Sequence, residues 1–432
     1  MVALTTLLLV LLTSVLERGA STSPRRPHAT LLASEPAADA VLRESPTRVR
    51  LVFSEPVEPS LSRLELARPG RGTTRLTPVA DPHDVHAVVA PVTGLAPGGY
   101  RLEWRIVSAD GHPVSGSFAF SIGARPVVAP PPVAVDDSHL AVDSLTAAPA
   151  VGPELWGAPL VAALLRGAAL AALMGLAGLL ALGEWALPNG GAGAARAATV
   201  LGGAALLLII AHAIAWAVNA GADHGLGSAF STLGTSGTGH RELLRAALAL
   251  LSLWALALAR RRGIAASCAV AAVLVSGDLG HSAAIDPAWA VPAKALHLLA
   301  GSLWLGGLLW IVLGDAASPR YGDGVRRISR LALVAVILVA ASGIVQMTLF
   351  LPSVRAVVQS TYGALALAKI AGLLILVLFG AYHRYVVLPR LATAPSPMGP
   401  RLRDSVRYEI GVMLLVILLG GLLAYVPPIP PS

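Results

Sequence analysis

The hydrophobic and polar positions of this chain change their period once, near residue 155. Before that point short runs alternate. RVRLVFS (48–54), HAVVAPV (86–92), YRLEWRIV (100–107) and GSFAFSI (116–122) read as strands of period two. Turn signals part them at Arg68-Pro69-Gly70, Ala96-Pro97-Gly98-Gly99 and Asp110-Gly111. Several short strands at this spacing predict a small all-β sandwich or barrel over 28–123. After residue 155 apolar stretches follow one another near 156–182, 197–218, 243–259, 263–283, 289–313, 328–351, 363–388 and 406–426. Most are on the scale of the ~20 residues that cross a hydrocarbon layer. The pattern thus predicts an all-α polytopic membrane bundle of about eight helices over 154–427. A Pro/Ala-rich linker, 124–153, separates the two regions and includes VAPPPVAVDD. At the start, ALTTLLLVLLTSVL (3–16) is too short for a comfortable span and fits the core of a signal peptide over 1–27.

Composition agrees with a membrane protein: 55% hydrophobic, 13% charged, mean hydropathy +0.71. The net charge of +8 does not point to nucleic acid, because the arginines cluster in short loops between apolar segments. Arg260, Arg261, Arg262, Arg320, Arg326, Arg327, Arg330, Arg384 and Arg390 all fall in loops that the positive-inside rule assigns to the cytoplasm. That places both ends of the mature chain outside. The one cysteine, Cys268, lies in an apolar segment and excludes a disulfide framework, a CxxC metal site and a CxxCH haem attachment. No nucleophile-plus-base set, phosphate loop or nucleotide motif is present, so the chain is not expected to be an enzyme.

Polar groups at membrane depth are expensive and usually face a cavity or one another. On this topology His212 falls in the outer half of span two, and His281 at the outer end of span four in DLGHSA. His297 is two turns into span five in KALHLLAGSLWLGGL, Gln346 and Met347 near the outer end of span six, and Lys369 in the outer half of span seven. His383 closes span seven on the inner side. Imidazole and thioether suit copper, the thioether favouring Cu(I), although a membrane histidine also serves to hydrogen-bond across helices. Lys294 and Lys369 are the two lysines of the chain; each fits either snorkelling or charge-tuning beside a cation path. Gly301, Gly306 and Gly307 permit close helix approach around His297.

One further pair stands in the alternating region. In SADGHPVSG (108–116), Asp110 and His112 are two apart, which in a strand puts a carboxylate and an imidazole on one face. Alone, it reads equally as an Asp-Gly turn followed by a surface histidine.

The stretches HATLLASEPAADAVLRESPTRVRLVFSEPVEPSLSRLEL (28–66) and YRLEWRIVSADGHPVSGSFAFSIG (100–123) resemble the periplasmic copper-binding protein CopC. The segments LGHSA, LHLLAGSLWLGGL, SGIVQ and YGALALAKIAGLL resemble CopD, and the order of the two resembles fused copper-uptake proteins of the YcnJ type. The resemblance implies a cupredoxin-like Greek-key β-barrel followed by a CopD-like bundle. It implies a Cu(II) site formed by His28, as the mature N-terminus, with Asp110 and His112. No methionine lies between 28 and 123, so the family's methionine-rich Cu(I) site has no counterpart there. His212, His281, His297 and Met347 become a candidate membrane copper path, with Lys369 and His383 as weaker members.

Copper capture outside and passage across a bacterial inner membrane is the function implied. The partners are copper, the lipid bilayer and extracytoplasmic copper chaperones. Two alternatives stay open at this point: extracytoplasmic sequestration or resistance without net transport, and a b-type haem or quinone oxidoreductase using the membrane histidines as axial ligands.

Overall fold

A computed structural model describes residues 29–108, 113–123, 158–185, 191–220, 226–277, 290–315, 318, 320–351, 357–358, 360–393 and 395–426. The chain divides into two compact units, one built on the strands and including Ala217–Thr238, the other holding the main helices.

The strand unit contains β1 (Leu31–Glu35), β2 (Val41–Leu42), β3 (Arg48–Phe53), β4 (Val57–Arg68), β5 (Gly72–Leu76), β6 (Val79–Asp81), β7 (Asp84–Pro91), β8 (Gly98–Ser108) and β9 (Pro113–Ile122). They form two sheets, ordered β1-β3-β7-β6 and β2-β9-β8-β4-β5, in a β-sandwich. Pairing is antiparallel except for the short parallel contact of β2 with β9. The alternation of β3 buries Val49, Leu51 and Phe53 against Val88, Leu102, Ile106 and Phe120. Each such fully buried side chain stabilises by roughly 1.5–3 kcal/mol. Between the buried positions of β3, Arg50 reaches Asp81 at 2.7 Å and Asp84 at 3.0 Å, fastening β3 to the β6–β7 hairpin. Tyr100 Oη donates to Ala96 O at 2.7 Å and pins the entry to β8.

The helices are α1 (Ala158–Trp185), α2 (Gly191–Ala220), α3 (Leu226–Thr235), α4 (Gly237–Ala257), α5 (Arg262–Gly277), α6 (Ala290–Leu313), α7 (Tyr321–Phe350), α8 (Thr361–Tyr382), α9 (Leu388–Thr393) and α10 (Pro395–Leu423). A π-helical turn, His383–Val387, joins α8 to α9. Each of the eight expected spans falls on one of the longer helices, and α3 and α9 are short additions. Among the described residues six helices are long and apolar enough to cross a bilayer: α1, α2, α6, α7, α8 with its continuation, and α10. The chain is a multi-pass membrane protein. In α4 the first turns hold His240, Arg241, Glu242 and Arg245, and the described part of α5 has 16 residues.

Helix α1 is the pivot of the bundle, and glycines let its neighbours close on it. A Cβ at Gly306 of α6 would stand 2.2 Å from the carbonyl carbon of Gly178, and one at Gly421 of α10 would stand 2.7 Å from Gly167 N. Backbone contact of this kind is how membrane helices gain dispersion energy where lipid and side chains are equally apolar. Gly306 and Gly307 therefore act as the packing elements their sequence context suggests; a Cβ at Gly307 would meet Ile328 Cγ2 at 2.8 Å.

Candidate functional site

In the strand unit the expected ligands His28, Asp110 and His112 lie outside the described residues, but their described neighbours are tied to one place. Thr30 N donates to Ser54 Oγ at 2.9 Å, and Ser54 N donates to Thr30 O at 2.9 Å, with Ala29 buried beside them. Across the sheet Ser108, the last residue of β8, pairs with Val57, the first of β4, and Val107 pairs with Pro113 of β9. Thr30, just before β1, and Ser108, at the end of β8, thus meet opposite ends of the short connection between β3 and β4.

His83 sits in the β6–β7 turn and His86 near the start of β7, where their backbone N–H groups donate to Asp81 and Asp84 respectively at 3.0 Å. Those carboxylates already serve Arg50. The hydrogen bond from Arg50, then that from His83 N, hold the Asp81 carboxyl below the ordinary aspartate range. A structural hairpin accounts for this DPHDVH segment.

The helical unit encloses a cavity of about 250 Å³. His297 of α6, Met347 of α7 and Lys369 of α8 all line it, as the candidate path requires. Met174 of α1 and Met413 of α10 line it too, so three of the chain's five methionines meet at one chamber. His297 Nδ1 lies 3.0 Å from Ser342 Oγ, whose hydroxyl in turn donates to Leu338 O. A ring held through Nδ1 has Nε2 to offer a metal, the usual arrangement of a supported histidine ligand. Glycines leave room for these groups. A Cβ at Gly301 would sit 2.7 Å from Met174 Cε, one at Gly343 would sit 3.7 Å from His297 Cε1, and one at Gly420 would sit 3.5 Å from Lys369 Nζ. Gly301 thus has a steric reason at the chamber itself.

Two buried clusters adjoin the chamber. Arg245 lines it and donates through Nη1 to both oxygens of Glu242 at 2.8 Å. Glu242 Oε1 lies 3.4 Å from His212 Nδ1, and His212 Nε2 lies 3.0 Å from Tyr425 Oη. His212, Glu242 and Arg245 are each at most 2% exposed. Trp304, also in the lining, donates from Nε1 to Glu409 Oε1 at 3.2 Å. Glu409 Oε2 lies 3.1 Å from His383 Nδ1, and His383 Nε2 lies 2.8 Å from Ser405 Oγ. His383 opens the π-helical turn, a backbone irregularity often found at functional positions.

The membrane candidates therefore separate. His297, Met347 and Lys369 share the chamber. His212 and His383 stand outside its lining, each paired with a glutamate and linked to the lining through Arg245 or Trp304. His281 lies outside the described residues. Lys294, for which snorkelling was one reading, lines the chamber, as does Arg166. Among the described residues no three His, Cys, Asp or Glu side chains converge as a metal cluster. Among the described residues the soft donors that share the chamber are three thioethers and the imidazole of His297.

Glu242, Glu409, Met174, Met413 and Tyr425 were not singled out from sequence. A membrane thioether looks like any apolar packing residue. A lone glutamate a few residues from a helix start looks interfacial.

Residues 31–123 match the CopC domain model, and residues 323–423 match that of copper resistance protein D, CopD. The copper transport protein CutJ of Bacillus subtilis is 28% identical over 382 residues, which make up 82% of this chain and 67% of that one. Copper resistance protein C of Xanthomonas campestris pv. juglandis is 36% identical over 104 residues, 22% of this chain and 80% of that protein. Among solved structures, CopC from Methylosinus trichosporium OB3b is 24% identical, with 23% of this chain and 99% of that one covered and a TM-score of 0.22. PcoC, a copper resistance protein from Escherichia coli, is 29% identical, with 22% and 98% covered and a TM-score of 0.19. With both domains matched in one polypeptide, the chain belongs to the copper transport and resistance family that joins CopC to CopD.

Proposed function

We propose that this protein imports copper across a bacterial cell membrane. The β-domain stands outside and takes Cu(II) with His28, Asp110 and His112, a set of nitrogen and oxygen donors that suits that ion. The bundle passes the metal through the chamber lined by His297, Met174, Met347 and Met413. Three thioethers and one imidazole are soft donors suited to Cu(I), so an external one-electron donor is required between the two sites.

The observation that carries this reading is the convergence of three methionines and His297, from four helices, on one cavity inside a CopD-type bundle. A protein that only sequesters copper outside has no use for such a chamber. The haem alternative has less support, since both ring nitrogens of His212 and of His383 lie within 3.4 Å of protein partners.

Whole-cell copper content decides the matter. His297→Ala and His28→Ala should each reduce accumulation relative to wild type while the protein remains in the membrane. Unchanged accumulation in both variants overturns import. Copper sensitivity on deletion with unchanged cytoplasmic copper would replace import by sequestration.

A further inference from the structure

The strand unit takes in a stretch that the sequence places between two apolar spans. Residues Ala217–Thr238 group with the strands, so that unit is also joined to the rest of the chain before Ala217 and after Thr238. This stretch holds the end of α2, all of α3 and the first residues of α4. Helix α3 packs against β4 and buries Ala229, Thr232 and Leu233, spaced three and four apart as on one helix face.

Two charged side chains of the sheet reach the same stretch. Arg105 of β8 donates from Nη2 to Asn219 O at 3.1 Å and from Nη1 to Ala220 O at 3.4 Å. Glu58 of β4 accepts through Oε1 from Gly237 N at 3.0 Å. The last carbonyls of a helix form its negative end and the first amides its positive end. Ala220 ends α2 and Gly237 begins α4, so each charge meets the helix terminus of opposite sign.

Within the sheet alone Arg105 is poorly placed. It faces Arg63 across the β4–β8 pair, and like charges directly opposed destabilise a sheet. Arg63 turns to Glu65, donating from Nε to Oε1 at 2.7 Å. Burial first, and then the charge of Arg63, lower the Arg105 guanidinium below its ordinary value. Burying a cation costs free energy that hydrogen-bond acceptors must offset, and the α2 carbonyls are such acceptors. Glu58 pairs with Val107, two residues beyond Arg105, so both contacts belong to one end of the β4–β8 ladder. In sequence β8 runs on from that end into the connection that holds Asp110 and His112.

We propose that Arg105 and Glu58 dock the β-domain onto the ends of α2 and α4, and that copper delivery depends on this dock rather than on the 124–153 linker. Delivery rests on the copper-passage reading, whereas the dock does not.

The first test uses the full-length protein in detergent, with a protease site inserted in the 124–153 linker. After cleavage the fragment carrying 29–123 should stay with the helical fragment through size-exclusion chromatography. Arg105→Glu and Glu58→Lys should each weaken that association by about tenfold or more, the effect of roughly 1.4 kcal/mol, and together should release the fragment. Arg105→Lys and Glu58→Gln, which keep a donor and an acceptor in place, should retain it. Wild-type hydrogen-exchange protection of β3 and β7 in the reversed variants shows that release reports the dock and not an unfolded sandwich. Arg105→Ala replaces the reversal if that protection is lost. Release of the wild-type fragment on cleavage overturns the dock, and so does its retention by the doubly reversed protein.

The second test measures copper uptake into proteoliposomes in the presence of ascorbate. The cleaved wild type should keep its uptake, and the cleaved, doubly reversed protein should lose it. Loss of uptake by the cleaved wild type, with the fragment retained, shows that the linker matters and overturns delivery through the dock. Undiminished uptake by the cleaved, doubly reversed protein overturns it as well. Absence of uptake by the intact wild type, with the fragment retained after cleavage, refutes copper passage and leaves the dock standing.

Discussion

The strand unit and the helical unit arrange polar side chains in opposite ways. In the sandwich, β3 turns Val49, Leu51 and Phe53 inward and leaves Arg48 and Arg50 for the outer face, where Arg50 meets Asp81 and Asp84. In the bundle, His212, Glu242, Arg245, His383 and Glu409 are buried, while Leu207, Leu378 and Leu415 are exposed. Water drives the first arrangement and lipid permits the second. In the bundle the polar groups that line or adjoin the chamber are held among helices, away from the lipid-facing leucines.

Both units also fold for different reasons, and the largest expected effect breaks them apart. The sandwich holds by interlocked side chains, whereas α1 and α6 touch through bare backbone at Gly178 and Gly306. Gly306→Leu has no room to adapt, because even a Cβ would lie 2.2 Å from the Gly178 carbonyl carbon. Overpacking of this severity costs on the order of 3 kcal/mol or more. The variant should elute as aggregate after detergent extraction, while peptides from 29–123 keep their wild-type hydrogen-exchange protection. A monodisperse Gly306→Leu protein with unaltered unfolding temperature would show that this backbone contact is not what holds the bundle.

A smaller effect is expected where the bundle buries its charges. Glu409→Gln keeps the acceptor for Trp304 Nε1 but removes the charge beside His383 Nδ1. Glu409→Ala removes both and leaves two buried donors without a partner. Loss of a buried partner typically costs about 1–3 kcal/mol for a hydrogen bond and more for a charge. The alanine variant should therefore unfold at a lower temperature than the glutamine variant, and both below wild type. If the two are equal to wild type, the His383–Glu409–Trp304 cluster is incidental to stability.

The sequence disclosed these two units unequally. Strands β3, β7, β8 and β9 were legible because each holds a short apolar or alternating run bounded by turn signals. β4 was hidden because the irregularity between Glu58 and Arg63 shifts its inward positions partway along. All eight apolar stretches fell on helices, but α4 starts at Gly237, before its apolar window, and takes in the buried polar residues Thr238 and Glu242. His297, Met347 and Lys369 stood out as polar or soft groups within spans. Their meeting with Met174 and Met413 was not legible, since partners 44 to 195 residues apart in the chain leave no local pattern. The same holds for Trp304 and Glu409, 105 residues apart. Periodicity reveals which face of an element is buried. It does not reveal which buried polar groups find one another.

The smallest expected effect tests the sandwich at its surface, where the contrast with the bundle is sharpest. Arg50 holds the Asp81 carboxyl below the ordinary aspartate range. A group whose folded value is depressed stabilises the fold above the unfolded value, and that contribution fades as pH falls through the depressed folded value. At neutral pH the fastening of β3 to the β6–β7 hairpin is therefore intact, and it weakens only below the normal aspartate range. Hydrogen exchange of peptides covering β7 in the intact protein should be unchanged from pH 7 down to the edge of that range, after correction for intrinsic rates, and should rise below it. In Asp81→Asn the rise should be smaller, because the carboxyl that Arg50 holds below its ordinary range is gone, and the neutral-pH difference from wild type should be modest, as for most ion pairs near a surface. A large neutral-pH change would mean that this surface pair carries more of the sandwich than its solvent contact allows. It would also blur the distinction between a fold stabilised by its apolar interior and one that keeps its charges inside.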